Sequence, residues 1–402
     1  MPLLPSSPLR RHLSLALVAC VLALAVCGCN ANSAPTVVEK PQPRPDSLVT
    51  IQIAAIGDLM CHAPQFTNAK VAADSFDFRP CFAEIQQVLQ DADFTIGNLE
   101  TVLGGSAIGY KGYPNFNTPD DYLDALQLAG FDFLVTANNH SLDQGEKGVL
   151  RTLDKLDEYK LPHTGTHRSQ RDRDSVRVVD VQGIRIGIVN FTYGMNGYKC
   201  PAGKAWMVNV IDTALIEQDI AAAKALNPDL VLAFFHWGNE YEHEPNAYQK
   251  AAASIAIQSG ADLIIGSHPH VLQPVELFKT VGGKLDSGLV AWSLGNFFSN
   301  QVNRYTDAGV VLQFALTKNK NTGKVALGGI QYVPTWVYRG TNPVKKLHII
   351  FPAEIGQADS LPYAFLNTES HTKLKQAWTD TELYINKYRR LELLPMATWR
   401  GK

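Results

Sequence analysis

Six short apolar runs, at residues 51–56, 94–96, 133–135, 230–235, 263–265 and 289–292, recur along the chain between segments with helical spacing. Runs that stay apolar instead of alternating suit strands buried on both faces, so the sheet they form needs another layer on each side. The intervening stretches 118–129, 145–159, 212–226 and 247–258 carry helical spacing. The first opens Thr118-Pro119-Asp120-Asp121, where Thr118 is placed to cap, Pro119 to start the first turn and the aspartates to complement the dipole; Gly130 ends it. Residues 176–181 and 184–190, split by Gln182-Gly183, read as a hairpin, which makes the sheet mixed. With 402 residues, 46% of them hydrophobic, the chain can fill such a core.

Each apolar run is followed at once by groups able to bind a metal or a substrate. These are Gly57-Asp58, Gly97-Asn98-Leu99-Glu100, Asn138-Asn139-His140, His236-Trp237-Gly238-Asn239-Glu240, Ser267-His268-Pro269-His270 and Gly295-Asn296. In open α/β sheets ligands bind beyond the carboxyl ends of the strands, so one site built from six loops accounts for the pattern. Asp58 alone also fits an ordinary turn, and Glu100 a salt bridge, but a carboxylate after a buried strand needs a cation or a donor. Asn139 is placed either to bind or to cap, and Asp143 with Gly145 to start the next helix. His268 and His270 point the same way if their segment is extended. Imidazoles and carboxylates together suit zinc, manganese or iron. His62 reads as a ligand or as an outer group, and Asn98, Asp143, Glu240 and Asn296 as outer or substrate-binding groups.

A formal net charge of -2 gives no sign of a phosphate-backbone-binding surface, so nucleic acid is not an expected partner. At the N-terminus, Arg10, Arg11 and His12 precede an apolar run over 13–26, short for a membrane span and charged at its start like an export signal. Val26-Cys27-Gly28-Cys29 resembles a bacterial lipobox, so residues 1–28 are expected to be removed, leaving lipid-modified Cys29 as the membrane anchor of an exported protein. An ordinary signal peptide is the alternative. Residues 29–48 read as a Pro-rich tether, 49–350 as the folded domain, and 351–402 as a helical extension that packs rather than reacts. Cys61, Cys81 and Cys200 permit one disulfide in an oxidising compartment, with no pair favoured.

Taken together, Gly57-Asp58-Leu59-Met60, Gly97-Asn98-Leu99-Glu100, Ala137-Asn138-Asn139-His140 with Asp143 and Gly145, His236-Trp237-Gly238 with Glu240-Tyr241, Gly266-Ser267-His268-Pro269-His270-Val271 and Ser293-Leu294-Gly295-Asn296-Phe297 resemble the CapA family, named for poly-gamma-glutamate capsule synthesis. The resemblance covers about residues 50–310. It implies the α/β fold of the calcineurin-like metallophosphoesterases, a four-layer sandwich of two mixed sheets between helices. It also implies two divalent ions, with Asp58, Glu100, Asn139, His236, His268 and His270 as ligands, Glu100 in the bridging position, and His140 protonating a leaving group. Two positions differ from the general phosphoesterase pattern: no His lies two residues after Asp58, and Glu100 stands where Asp is usual.

The function so implied is a surface-anchored, metal-dependent hydrolase of phosphoesterase type, acting in the synthesis, anchoring or processing of an extracellular anionic polymer such as poly-gamma-glutamate, with that polymer and the capsule-synthesis machinery as expected partners. Two alternatives stay open: a non-catalytic assembly or polymer-binding factor that keeps the metal, and an amide hydrolase or transpeptidase on glutamyl polymers. The segment Gly112-Tyr113-Pro114-Asn115-Phe116-Asn117 reads as a substrate rim or as an ordinary loop.

Overall fold

A computed structural model describes residues 47–340, 346–389 and 391–393; the expected signal peptide, Cys29 and nearly all of the tether lie outside the described residues. In the strand Leu48–Leu59, successive side chains point to opposite faces, and both faces are buried. Ile51, Ile53 and Ala55 enter one apolar cluster, while Ala54 and Ile56 enter another. The strand Leu230–His236 divides in the same way, with Leu230, Leu232 and Phe234 joining the first cluster and Val231, Ala233 and Phe235 a third. The first cluster is therefore shared by two sheets stacked face to face.

The larger sheet runs in the order His348–Pro352, Val325–Arg339, Ala308–Asn319, Leu48–Leu59, Phe94–Leu99, Phe133–Val135, His163–Thr164. It is antiparallel up to Leu48–Leu59 and parallel beyond it, and Asn296–Phe298 adds a short parallel pairing to the end of Leu48–Leu59. The smaller sheet runs Val275–Lys279, Ser287–Ala291, Leu263–Ser267, Leu230–His236, Ile184–Thr192, Arg177–Val181, parallel within and antiparallel at both edges. Helices Gln86–Gln90 and Asp121–Ala129 cover the outer face of the larger sheet with Val88, Leu89, Leu123 and Leu126. Helices Thr213–Ala225 and Ala247–Ser259 cover the smaller one with Ile216, Ile220, Ala252 and Ala256. This is the four-layer sandwich of two mixed sheets expected from the sequence.

Four parallel strands begin just after an aspartate that accepts a backbone N–H from a neighbouring strand or turn. Asp93 accepts from Gln52 (2.7 Å), Asp132 from Thr95 (2.8 Å), Asp229 from Arg185 (2.8 Å), and Asp262 from Val231, Lys284 and Leu285 (2.9, 2.6 and 2.9 Å). These carboxylates tie together the amino ends of the strands and leave the carboxyl ends to other groups. On the carboxyl side, backbone meets backbone: a Cβ on Gly57 would lie 2.1 Å from the Gly295 carbonyl oxygen, and Asp58 N–H donates to that oxygen at 3.0 Å. Only glycine permits that approach, which sets Asp58 beside Asn296.

Several local expectations are corrected. Thr118 does not cap; its hydroxyl lies 2.6 Å from that of Thr101 and the helix starts at Asp121, although Gly130 ends it in the left-handed region (φ 109°) as expected. Asp143 does not start the helix Gly145–Glu158, because its carboxylate is engaged elsewhere. No disulfide joins Cys61, Cys81 and Cys200 to one another. The long strands Ala308–Asn319 and Val325–Arg339 are absent from the sequence reading, since Gln313 and Thr317 interrupt one and Gly328, Gly329 and Pro334 argue against the other. In the C-terminal stretch, helix Thr368–Ile385 packs Leu374 and Ala377 against Trp336 and Phe351, and Tyr384 stacks on His243 at 3.6 Å.

Candidate metal centre

The carboxyl ends of both sheets deliver their polar residues to one buried spot. Asp58, the penultimate residue of Leu48–Leu59, has its carboxylate 2.8 Å from the donating Asn98 amide, which sits opposite it on Phe94–Leu99. Its other oxygen lies 3.1 Å from His270 Nδ1 and accepts the backbone N–H of His268 at 3.3 Å. Burial by itself would raise the Asp58 pKa; the hydrogen bond and charge of His270, with His236 and Asn98, outweigh it and hold Asp58 well below the usual carboxylate range.

His236 ends its strand opposite Ser267, whose hydroxyl lies 3.0 Å from Nδ1, in place to accept an N–H there and leave Nε2 for a cation. Around Nε2 are Asn139 Oδ1 (2.9 Å), His268 Nδ1 (3.1 Å) and Glu100 Oε1 (3.6 Å). Burial, then the neighbouring His268, keeps His236 far below its ordinary pKa, and burial with His270 pushes His268 down to about 3. Both imidazoles are thus neutral near pH 7, the state in which they ligate metals.

His268 and His270 do not lie on an extended segment as expected. Both have positive φ (99° and 58°), so the backbone kinks twice to aim the rings inward, with centroids 5.9 Å apart. Such conformations cost about 1–3 kcal/mol each in a non-glycine residue and persist only where surrounding structure enforces them.

Glu100 is the least provided for. It is fully buried, neither side-chain oxygen has a hydrogen-bond donor, the Asp58 carboxylate lies within hydrogen-bonding reach and could only share a proton with it, and its nearest basic groups are His236 (3.6 Å) and His270 (3.9 Å). Burial, then the adjacent Asp58 charge, drives its pKa well above the usual range. Ligand atoms of Asp58, Glu100 and His270 lie within 4.8 Å of one another, as do those of Glu100, His236 and His268, and those of Glu240, His268 and His270. A buried carboxylate without a donor, set among imidazoles, fits a divalent cation.

His140 stands apart from these groups. Its Nδ1 is 2.7 Å from Asp143, both side chains are buried, and its ring meets the edge of Phe116 at 4.6 Å. Asn296 reaches His270 Nδ1 at 3.0 Å, whereas Glu240 is exposed at the mouth. His62 is half-buried and its Nδ1 is engaged by Gln65 Oε1 and the Asn300 N–H; burial lowers its pKa to about 4.

Residues 52–301 match the family described as Bacterial capsule synthesis protein PGA_cap. The chain belongs to this family. It is 28% identical over 276 residues to Capsule biosynthesis protein CapA of Bacillus anthracis, covering 67% of this chain and 64% of that protein, a little under two thirds of its length. It is 28% identical over 317 residues to PGA biosynthesis protein CapA of Bacillus subtilis (strain 168), covering 77% of each. Solved structures similar to it include the calcineurin-like phosphoesterase YfkN from Bacillus subtilis (15% identity, TM-score 0.41, 83% of this chain and 98% of that one). A putative 5'-nucleotidase from Staphylococcus aureus is another (14% identity, TM-score 0.46, 83% and 59%).

In this PGA_cap protein the family match includes every residue of the cluster, and two further residues that sequence reasoning passed over. Tyr193 lies with its ring 4.4 Å from that of His268 and is nearly parallel to His236 at 6.3 Å. Asn190, fully buried, accepts the Ala137 N–H at 2.7 Å and donates to the Phe234 carbonyl at 3.0 Å, pinning the Asn139-His140 loop to the smaller sheet. Asn190 ends the 184–190 run that the sequence marks as a strand, and Tyr193 follows the strand Ile184–Thr192.

Proposed function

We propose that this protein is an exported hydrolase, tethered through lipidated Cys29 to the cell membrane or outer membrane. It uses divalent metal for phosphoester-type chemistry in the synthesis, anchoring or processing of an anionic extracellular polymer such as poly-gamma-glutamate. The observation that carries the chemistry is Glu100, a buried carboxylate with no donor on either oxygen. Asp58 with His270 and His236 with His268 form two donor groups that each include Glu100, so these residues, with Asn139 beside His236, would hold two ions of manganese, iron or zinc. Such ions would polarise a phosphoryl oxygen and make water a better nucleophile at neutral pH. Asp143 accepts the Nδ1 proton of His140 and fixes its ring, leaving Nε2 to deliver a proton to the departing oxygen. The pathway is supported by the family and its two Bacillus relatives, and the anchor by the N-terminal pattern.

The test is a screen of chelated protein reloaded with manganese, iron or zinc, using phosphomonoesters, phosphodiesters and glutamyl amides. Ester hydrolysis that vanishes on chelation is expected. Turnover of glutamyl amides alone would replace the reaction class, and no turnover in any loaded form would leave a binding protein. For the anchor, Cys29→Ser should accumulate as precursor without lipid label; unchanged lipid incorporation would end that assignment.

A further inference from the structure

Tyr113 is the most exposed large apolar side chain among the described residues, at 72%, yet its backbone is held firmly. A Cβ on Gly112 would lie 2.3 Å from the Ala63 backbone nitrogen, so the turn is seated against the start of helix Ala63–Ala69. Lys111 and Asn117 exchange both backbone hydrogen bonds, at 2.9 and 2.8 Å. The Asn117 amide donates to the Gly105 and Gly109 carbonyls, and Gln144 to those of Asn115 and Phe116. An aromatic ring presented to solvent on a fixed loop has little freedom left to lose when another ring packs on it.

That ring stands beside the proposed acid. Its centroid is 6.4 Å from that of His140, and Phe116, three residues on, touches His140 from another side. Phe116 N–H donates at 2.7 Å to the same Asp143 oxygen that lies 2.7 Å from His140 Nδ1, so loop, acid and orienting carboxylate are joined through one oxygen. The Tyr198 hydroxyl donates to Asn115 Oδ1 at 3.0 Å and ties the loop to the chain that follows the strand Ile184–Thr192. Near His270, Tyr241 presents a second ring, 55% exposed and 6.3 Å away.

We infer that Tyr113 determines specificity in a leaving-group subsite, where it packs against the ring of a cyclic alcohol, a sugar or a benzyl group, whose oxygen His140 protonates. This rests on the phosphoester reading above and adds the class of leaving group. The exposed Tyr113 ring, 6.4 Å from that of His140, is there for a cyclic group that departs beside His140 to pack on, and a leaving alcohol without a ring gains little from it.

The probes are benzylphosphonate and ethylphosphonate, which cannot be hydrolysed, titrated calorimetrically into the metal-loaded protein. The wild type should prefer benzylphosphonate by about 2- to 10-fold, the size of one aromatic pair. Tyr113→Ala should bring the ratio of affinities close to one, and Tyr113→Phe should keep it. A ratio of one in the wild type, a preference that survives in Tyr113→Ala, or no binding of either phosphonate would overturn the subsite. Kinetics separate this from the reaction class. Selective phosphonate binding without hydrolysis of benzyl phosphate keeps the subsite and rejects the hydrolase. Equal kcat/KM on benzyl and ethyl phosphate keeps the hydrolase and rejects the subsite.

Discussion

Asp262 and Glu100 are equally hidden from water, one just before a strand of the smaller sheet and the other just after a strand of the larger one. Asp262 accepts three backbone N–H groups, which counter the upward push of burial on its pKa. Glu100 accepts none, and its neighbour is a second carboxylate. A buried carboxylate held by backbone donors is part of the scaffold, whereas one facing imidazoles and another acid, with no donor of its own, requires a cation or a proton. The same division runs through the molecule. Asp93, Asp132 and Asp229 are satisfied at the amino ends of strands, while His268 and His270 carry strained backbone at the carboxyl ends. The amino ends are built for stability and the carboxyl ends for binding.

The largest effect expected from breaking this division is on turnover. His140→Ala should fold and keep its metal but lose about 10²- to 10⁴-fold in activity on an ester with a poor leaving group. On an activated aryl phosphate, which departs without protonation, the loss should be much smaller. Equal loss on both, accompanied by loss of metal, would place His140 among the ligands. Next comes the scaffold: Asp262→Ala strands two buried backbone donors, Val231 and Leu285, and a part-buried one, Lys284, at about 1–3 kcal/mol for each buried donor, and should cost about 2–5 kcal/mol in chemical denaturation with metal per folded molecule unchanged. A cost below about 1 kcal/mol would remove the contrast between the two carboxylates.

The smallest effect is a pH dependence of the metal-free protein. The folded pKa of Glu100 lies above its unfolded value of about 4.3, so the stability its proton provides is full below that value and is lost as pH rises through the folded pKa. Glu100→Gln, neutral throughout, should therefore gain on the chelated wild type as pH rises, by about 1.4 kcal/mol for each unit of the shift. Taking the difference between the two proteins removes the contribution of histidines away from Glu100, whose depressed pKa values act in the opposite direction as pH falls. A difference that does not change with pH would mean that Glu100 has a partner in solution.

Much of this was legible in the chain because the strands that carry the site are buried on both faces. The run Leu230–Phe235 can be little else, and polar residues directly after such a run must leave the core together. Less legible was anything decided by one side chain turning. Asp143 follows a loop and precedes a helix, as a cap does, yet serves His140 and Phe116; Thr118 has a capping residue's identity but pairs with Thr101. His268 and His270 converge through positive φ, which no spacing rule anticipates in a non-glycine residue. Tyr193 was passed over because an aromatic residue after a strand looks like core.

The account rests on Glu100 facing a cation. Elemental analysis of wild-type and Glu100→Gln protein, purified side by side without an affinity tag, tests this directly. The wild type should carry manganese, iron or zinc in stoichiometric amount, and Glu100→Gln should be folded and retain only a small fraction of it. Equal metal in the two proteins, or none in the wild type after incubation with each ion, would contradict it.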